Sequence, residues 1–363
     1  MTKKEISELP TLCDVIELCC HEEYLADKAI INNPKFRYFL PTHEVKGYYQ
    51  PVRMKDGKHI LMPLSPSQFV FYRGQSKYHE KCYPSLYRKG MGEAEIFVER
   101  IKRVEMELMM QEYPITNLFA NTFQLKDPSG NYHSINFRIG YDGMAQHYGI
   151  KTEYFDLTTD IWTAAFFAAT TYNYETDTYS PIIDTDNNEV GVFYVCNKFP
   201  PISDINFRID VVGMQPLLRP GRQFAYVYRM YQGENFNDIA HKIFFRHDAD
   251  VNNYIYNRTN QGKQLFPKET LSSKIHTEIV KAICFSKKAI DEACNRYYPN
   301  LTHDALKRLL DSNKISINSE NKIWFTESEK EEALTYWETV KKSISEKIRI
   351  QWVFKGPIEI VTE

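Results

Sequence analysis

Residues 143–171 read GMAQHYGIKTEYFDLTTDIWTAAFFAATT, and the character of the chain changes twice within them. The stretch opens on a polar, aromatic turn, Gln146-His147-Tyr148-Gly149. It passes through an acid–hydroxyl cluster, Asp156-Leu157-Thr158-Thr159-Asp160, and closes on an apolar run from Ile161 to Ala169. The run is expected to be a helix. Thr159 or Asp160 can cap it, because a short oxygen-bearing side chain satisfies free N–H groups of the first turn. Ala164, Ala165, Ala168 and Ala169 are small enough for that helix to lie close against a sheet. A helix N-terminus beside His, Tyr, Asp and Thr also attracts anions through its unpaired N–H groups and its dipole.

A second stretch lies upstream, Phe69-Val70-Phe71-Tyr72-Arg73-Gly74-Gln75, followed by Pro84-Ser85-Leu86-Tyr87-Arg88. β-Branched and aromatic residues running up to a Gly stop predict a buried strand. An Arg at the end of such a strand needs a partner or a ligand. An ion pair with Asp156 and a ligand-binding role for Arg73 are both open at this point.

The chain has 363 residues, 43% of them apolar, and a formal charge of −2, values that fit a globular, water-soluble protein. That charge argues against coating of nucleic acid but leaves room for a local basic groove. The 25 Tyr and 22 Phe are read first as core, with stacking on a base or a nicotinamide as the alternative. The opening MTKKEISELPTL has no apolar region of the kind a secretory signal needs, and no apolar run reaches the ~18 residues that span a bilayer. Seven cysteines without a C-x-x-C pair point to a reduced, cytoplasmic protein without zinc or another metal.

Three segments are expected: an N-terminal helical and loop segment over 1–63, a core over 64–290, and a helical extension over 291–363. Thr11 can cap a helix through about Glu23, and Lys28 to Pro66 reads as loop-rich. Glu93 to Glu112 has helical periodicity. Gly191–Cys196, residues 223–231 and Ile279 to Phe285 read as strands, and Asp248 to Leu265 as loop. Tyr172 to Asn188 reads as a polar surface insertion. Ser286 and Thr302 can cap further helices. Glu327 to Lys347 is a charged amphipathic helix with Leu334, Trp337, Val340, Ile344 and Ile348 as its stripe, which docks on the core or holds a partner.

Taken together, YRGQ at 72–75, PSLYR at 84–88, AQHYG at 145–149, Asp-x-Thr at 156–158 and AAFFA at 164–168 resemble the FRG domain, named for a Phe-Arg-Gly signature. Arg219-Pro220-Gly221-Arg222-Gln223-Phe224 resembles a late Arg…Gln-x-Phe element of that family, and the resemblance covers roughly residues 64–290. Tyr72 replaces the signature Phe. Glu153 stands where the family usually has the Arg of Pro-Thr-Arg.

The order of a strand-end Arg, a hydroxyl-bearing strand and an Ala-rich helix is in turn similar to ADP-ribosyltransferases. That implies an α+β fold with a mixed or antiparallel β core, flanking helices and a helical extension. It implies NAD as substrate, an acceptor that is RNA or protein, and a toxin or effector in bacterial antiviral defence, travelling with an antitoxin or inhibitor. Arg73, with Tyr72, Gly74 and Gln75, would hold the phosphates. Tyr148, Tyr154 and Asp156 would complete the cofactor pocket, and His147, Thr158 and Gln223 would stand at the reacting bond. Relatives of the transferases carry a Glu on a late strand where this chain has the neutral Gln223, so Glu153, Asp156 or Glu278 would have to supply the acid. Each residue also has a plainer reading: Gln146–Gly149 as a hydrogen-bonded turn, Asp156 as a cap or an Arg partner, and Arg100, Lys102 and Arg103 as solvated helix charge beside Arg219 and Arg222 as candidate RNA contacts. A non-catalytic module that binds a nucleotide or a partner is the alternative to an enzyme.

Overall fold

Alternation of bulky apolar residues with turn signals produces an antiparallel sheet. The computed structural model describes residues 3–21, 47–64, 70–126, 130–173, 176, 178–185, 189–197, 208–319, 322–352 and 356–362. Six strands form the main sheet: β1 (Val70–Gln75), β2 (Tyr154–Thr158), β3 (Val190–Asn197), β4 (Ile209–Val211), β5 (Ala225–Arg229) and β6 (His241–Arg246). Their order is β4-β5-β2-β1-β3-β6, and each neighbouring pair is antiparallel. The fold is α+β. Residues 22–46 of the expected N-terminal segment, and residues 65–69 with the expected strand residue Phe69, lie outside the described residues.

β1 and β3 pair along six residues, but β1 and β2 pair only at Tyr72 and Thr158. Beyond that point the ladder is not continued. The Asp156 carbonyl accepts from the Arg73 guanidinium instead, at 2.9 Å. The sheet therefore splits where the two sequence stretches meet.

The Ala-rich run forms α3 (Ile161–Ala169), and Asp160 caps it by accepting from the Thr163 N–H at 2.9 Å. Its small residues face β1. A Cβ on Gly74 would lie 1.9 Å from the Ala164 carbonyl oxygen and 2.7 Å from the Ala168 Cβ. Gly74 is thus a packing glycine, which fixes how near α3 comes to the sheet. Leu12, Val15, Ile16 and Cys19, on the helix over residues 12–21, join α3 in the same buried cluster. These four residues are thus buried with the core sheet and α3. Strands Tyr49–Arg53 and His59–Pro63 form a hairpin where loop was expected, and the Tyr49 hydroxyl donates to the Gly221 carbonyl.

Two other sequence expectations change. Asp248 to Leu265 holds a helix, α4 (Ala249–Arg258). Asp248 caps it by accepting from the N–H groups of Asp250 and Val251 at 3.1 Å, while Asn252 and Ile255 turn inward. Its Asn and Tyr content disguises a helix whose buried positions are few. The Ile279–Phe285 strand is confined to Cys284–Ser286, because Leu271, Ile275 and Ile279 recur at four-residue spacing and continue the helix Thr270–Ile275 through a π-turn, His276–Val280.

The long helix α1 (Glu93–Glu112) crosses the core. The C-terminal helix α5 (Glu327–Lys347) docks on the next helix, Pro114–Asn121. Ala333, Trp337, Ile344 and Ile348 are buried against Ile115, Phe119 and Phe123, whereas Leu334 is 46% exposed. Trp337, Val340, Ile344 and Ile348 of the expected stripe pack there, and Ala333 takes the place expected for Leu334. No helix among the described residues is long and apolar enough to cross a membrane.

Candidate functional site

The split between β1 and β2 opens into a cleft of about 650 Å³. β1 supplies Tyr72, Arg73, Gly74 and Gln75; β2 supplies Asp156, Leu157 and Thr158; and Gln223 comes from the turn before β5. Gln146 and His147 enter from the C-terminal end of a short helix, α2 (Tyr141–His147), which the turn at Gly149 ends with φ +89°. The fold thus gathers eight of the ten residues singled out in the sequence.

His147 is held from below. Its Nδ1 lies 3.0 Å from Gln223 Oε1, and Gln223 Nε2 donates to the Leu265 carbonyl at 3.3 Å. With the amide nitrogen committed to Leu265, Gln223 presents an acceptor to the ring, so Nδ1 carries the proton and Nε2 keeps its lone pair. Burial pushes the imidazole pKa down, partly opposed by the nearby Asp156 charge and reinforced by Arg219. Burial therefore favours the neutral ring. Arg219 donates to the His147 carbonyl at 2.9 Å and stacks on Tyr148, so it caps the end of α2.

Asp156 faces this ring. Its Oδ2 accepts from Gln146 Nε2 at 3.2 Å, and Gln146 Oε1 accepts from the Thr152 hydroxyl. Its Oδ1 stands 3.8 Å from His147 Nε2. Among the described residues neither of those two atoms has a hydrogen-bond partner, and neither does the buried Nε of Arg73. Two acceptors facing each other across such a gap require a donor between them: a proton, or an O–H or N–H group of a ligand. Arg73 lies over the Phe155 ring at 4.6 Å, and no ion pair joins it to a carboxylate among the described residues. The proposed Arg73–Asp156 ion pair is replaced by a bond to the Asp156 main chain.

Asp156 is the only carboxylate among the described lining residues, which include Arg73, Lys77, Lys81, Arg88 and Lys151. Lys81 and Lys151 are exposed, and Lys77 pairs with Glu189 at the rim. Cations around one carboxylate make a recess suited to a phosphate-bearing molecule. Lys81, Arg88, Lys151 and Gln146 were missed as site residues. Arg88 and Gln146 lay within quoted motifs, but nothing in spacing alone aims the loop 76–88 at this cleft.

The other residues are placed differently. The Thr158 hydroxyl donates to the Gln223 carbonyl at 2.7 Å and accepts from Asp160 N–H at 2.9 Å, so its proton is committed to joining β2 to the turn before β5. Gln75 accepts from the Cys82 thiol at 3.5 Å. Tyr148 is buried outside the cleft, its hydroxyl donating to Glu269 at 2.5 Å. Tyr154 lines a different recess, of about 310 Å³, with Gly140 to Gly143. Helix α2 stands between the two. Glu153 turns to that other side, bonded to Arg103 Nη1 at 2.9 Å, and Glu278 pairs with Lys274 and Lys322. Neither lines the cleft, so neither is the acid the sequence left open. No group of three His, Cys, Asp or Glu among the described residues could hold a metal ion.

No curated protein and no solved structure matches the chain. A family model does: residues 68–177, the span holding β1, α2, β2 and α3 but not Gln223, match the FRG domain.

Proposed function

We propose that this cleft binds NAD and transfers its ADP-ribose to an acceptor. The observation that carries the reading is the set of unpartnered atoms, Arg73 Nε, His147 Nε2 and Asp156 Oδ1, around a recess whose described rim is otherwise basic. Supporting it is the order of strand-end Arg, Asp-x-Thr strand and Ala-rich helix, which resembles ADP-ribosyltransferases.

In the reaction the bond from ribose C1′ to the nicotinamide nitrogen breaks. The electron pair leaves with neutral nicotinamide, and positive charge develops on C1′ and the ring oxygen. Arg73 and the rim lysines hold the pyrophosphate. Asp156, fixed by Gln146, faces the developing cation, where a preoriented charge does most for the barrier. An acceptor O–H or N–H then bonds to C1′ and releases its proton. The neutral Nε2 of His147, with Gln223 behind it, is the base placed to take that proton. Such a protein fits an effector whose activity an inhibitor must restrain in its own cell.

The experiment is to incubate the protein with NAD and measure free nicotinamide, alongside calorimetric titration with NAD. Release that disappears in Asp156→Asn is expected. Neither binding nor release would overturn the reading. Binding without release would favour the non-catalytic nucleotide module, for which the neutral Gln223 in place of an acid speaks.

A further inference from the structure

A second recess, of about 660 Å³, lies against the cleft and shares a wall with it. The wall is the 222–224 turn together with the first turn of α3. Gln223 points into the cleft, while Arg222 and Phe224 line the second recess; Thr163 lines the cleft, while Asp160 and Trp162 line the second recess. Phe224 holds φ at +48°, a left-handed conformation that is strained for a bulky residue. That conformation lets consecutive side chains serve two recesses. Leu265 ties them again, since its carbonyl accepts from Gln223 and it also lines the second recess.

The chemistry of this groove is cationic and aromatic. Arg222, Arg258, Lys263 and Lys347 line it, with Asp160 as the single carboxylate among the described residues. Asp160 is already engaged as the α3 cap by Thr163 N–H and Oγ. Arg222, Arg258 and Lys263 are exposed, and none of the three has an ion-pair partner among the described residues. Lys347 has its pKa lowered by burial and then by Arg222, so like charges crowd here. The Arg258 guanidinium lies 3.9 Å from the centroid of the Trp162 ring, and Phe224 stacks on Tyr49 at 6.0 Å with 9° between planes. Clustered cations track a phosphate backbone, while aromatic rings and guanidinium planes are the surfaces on which unpaired bases stack. Acidic peptides would use the cations but not the rings.

We propose that this groove binds a single-stranded nucleic acid and presents it to the adjoining cleft as the acceptor. The acceptor role rests on the NAD reading above; the binding does not.

The test is fluorescence anisotropy with a labelled 12-nucleotide single-stranded RNA, without NAD, across a salt series, on the wild type and on Arg222→Glu/Lys263→Glu. Both positions are exposed, and melting curves check that the variant folds. Wild-type binding should weaken as salt rises. The variant should lose about tenfold or more in affinity and show a shallower salt dependence, since two phosphate contacts are gone. Arg258→Gln, which removes the guanidinium over Trp162, should weaken binding with a smaller change in salt slope. Nicotinamide release in the absence of acceptor should be the same in all three proteins. The proposal is overturned if the wild type does not bind the RNA, if the charge-reversed variant binds equally well, or if polyglutamate at equal charge displaces the RNA as well as unlabelled RNA does. RNA binding without nicotinamide release would sink the NAD reading and leave the groove's ligand standing. Release without RNA binding would do the reverse.

Discussion

The two recesses on either side of α2 are built from the same kinds of residue and differ in whether those residues are paired. On the Tyr154 side, Arg103 bonds both Asp142 and Glu153, and Arg229 bonds the Tyr154 hydroxyl. On the other side, Arg73 Nε, His147 Nε2 and Asp156 Oδ1 are left without hydrogen-bond partners among the described residues. A folded chain satisfies its buried polar groups unless something else is to satisfy them. Charge that answers charge within the molecule is structural, and charge left facing empty space is the better candidate for chemistry.

The sharpest way to break this contrast is to exchange effects between the two sides. Asp156→Asn is expected to lower nicotinamide release by about a hundredfold or more, as removal of a preoriented charge does. It should leave the melting temperature within about 2 °C or raise it, because an unpaired carboxylate is lost. Arg103→Met should do the opposite. Its side chain is 4% exposed between two carboxylates, and breaking the pair should cost about 3 kcal/mol of stability, the low end for a buried pair because Asp142 is partly solvated. Denaturant melts and turnover assays on both variants check the exchange. Should Arg103→Met melt like the wild type and Asp156→Asn unfold, the distinction between the recesses is wrong.

A smaller effect concerns pH. Burial lowers the His147 pKa in the folded protein, so the unfolded chain takes up this proton first as pH falls. The stability tied to the neutral ring is complete above the ordinary histidine value near 6.5 and is lost as pH drops below it, by at most about 1.4 kcal/mol per pH unit. Melting temperatures between pH 7.5 and 5.5 should therefore fall less steeply in His147→Gln than in the wild type. Parallel slopes would mean the ring titrates as it does in solvent. Smallest is Lys77→Ala at the rim. Lys77 and Glu189 have side chains 52% and 37% exposed, and losing an exposed pair should change stability by less than about 0.5 kcal/mol. A several-fold weaker NAD titration without a stability change would assign Lys77 to ligand binding.

The strand ending in Arg73-Gly74, the Asp-capped alanine helix and the strand at 190–197 were legible because each is a local pattern: a β-branched run to a glycine, a cap before an apolar run, small residues at packing positions. The helix at Ala249–Arg258 was not, since its polar face outnumbers its buried one. Within the site, alternation puts Tyr154, Asp156 and Thr158 on one face of β2, and from sequence they read as one pocket. The helix Tyr141–His147 stands between the recess that Tyr154 lines and the one that Asp156 and Thr158 line. Gln223 was visible as a neutral residue where an acid was expected, but its position behind His147 was not.

What the amino-acid order determined unaided was the strand ending in Arg73-Gly74, the Asp160-capped helix, the strand at 190–197 and the residue types at their ends, because caps, strand stops and small-residue packing depend on neighbours a few positions away. Which of Glu153, Asp156 and Glu278 meets His147, and which cations stay unpaired, was decided only when distant segments came together, His147 with Gln223 76 positions on and Lys77 with Glu189 112 positions on. Pairing of charges depends on distance and burial in space, and those are properties of the assembled sheet and the helix laid across it.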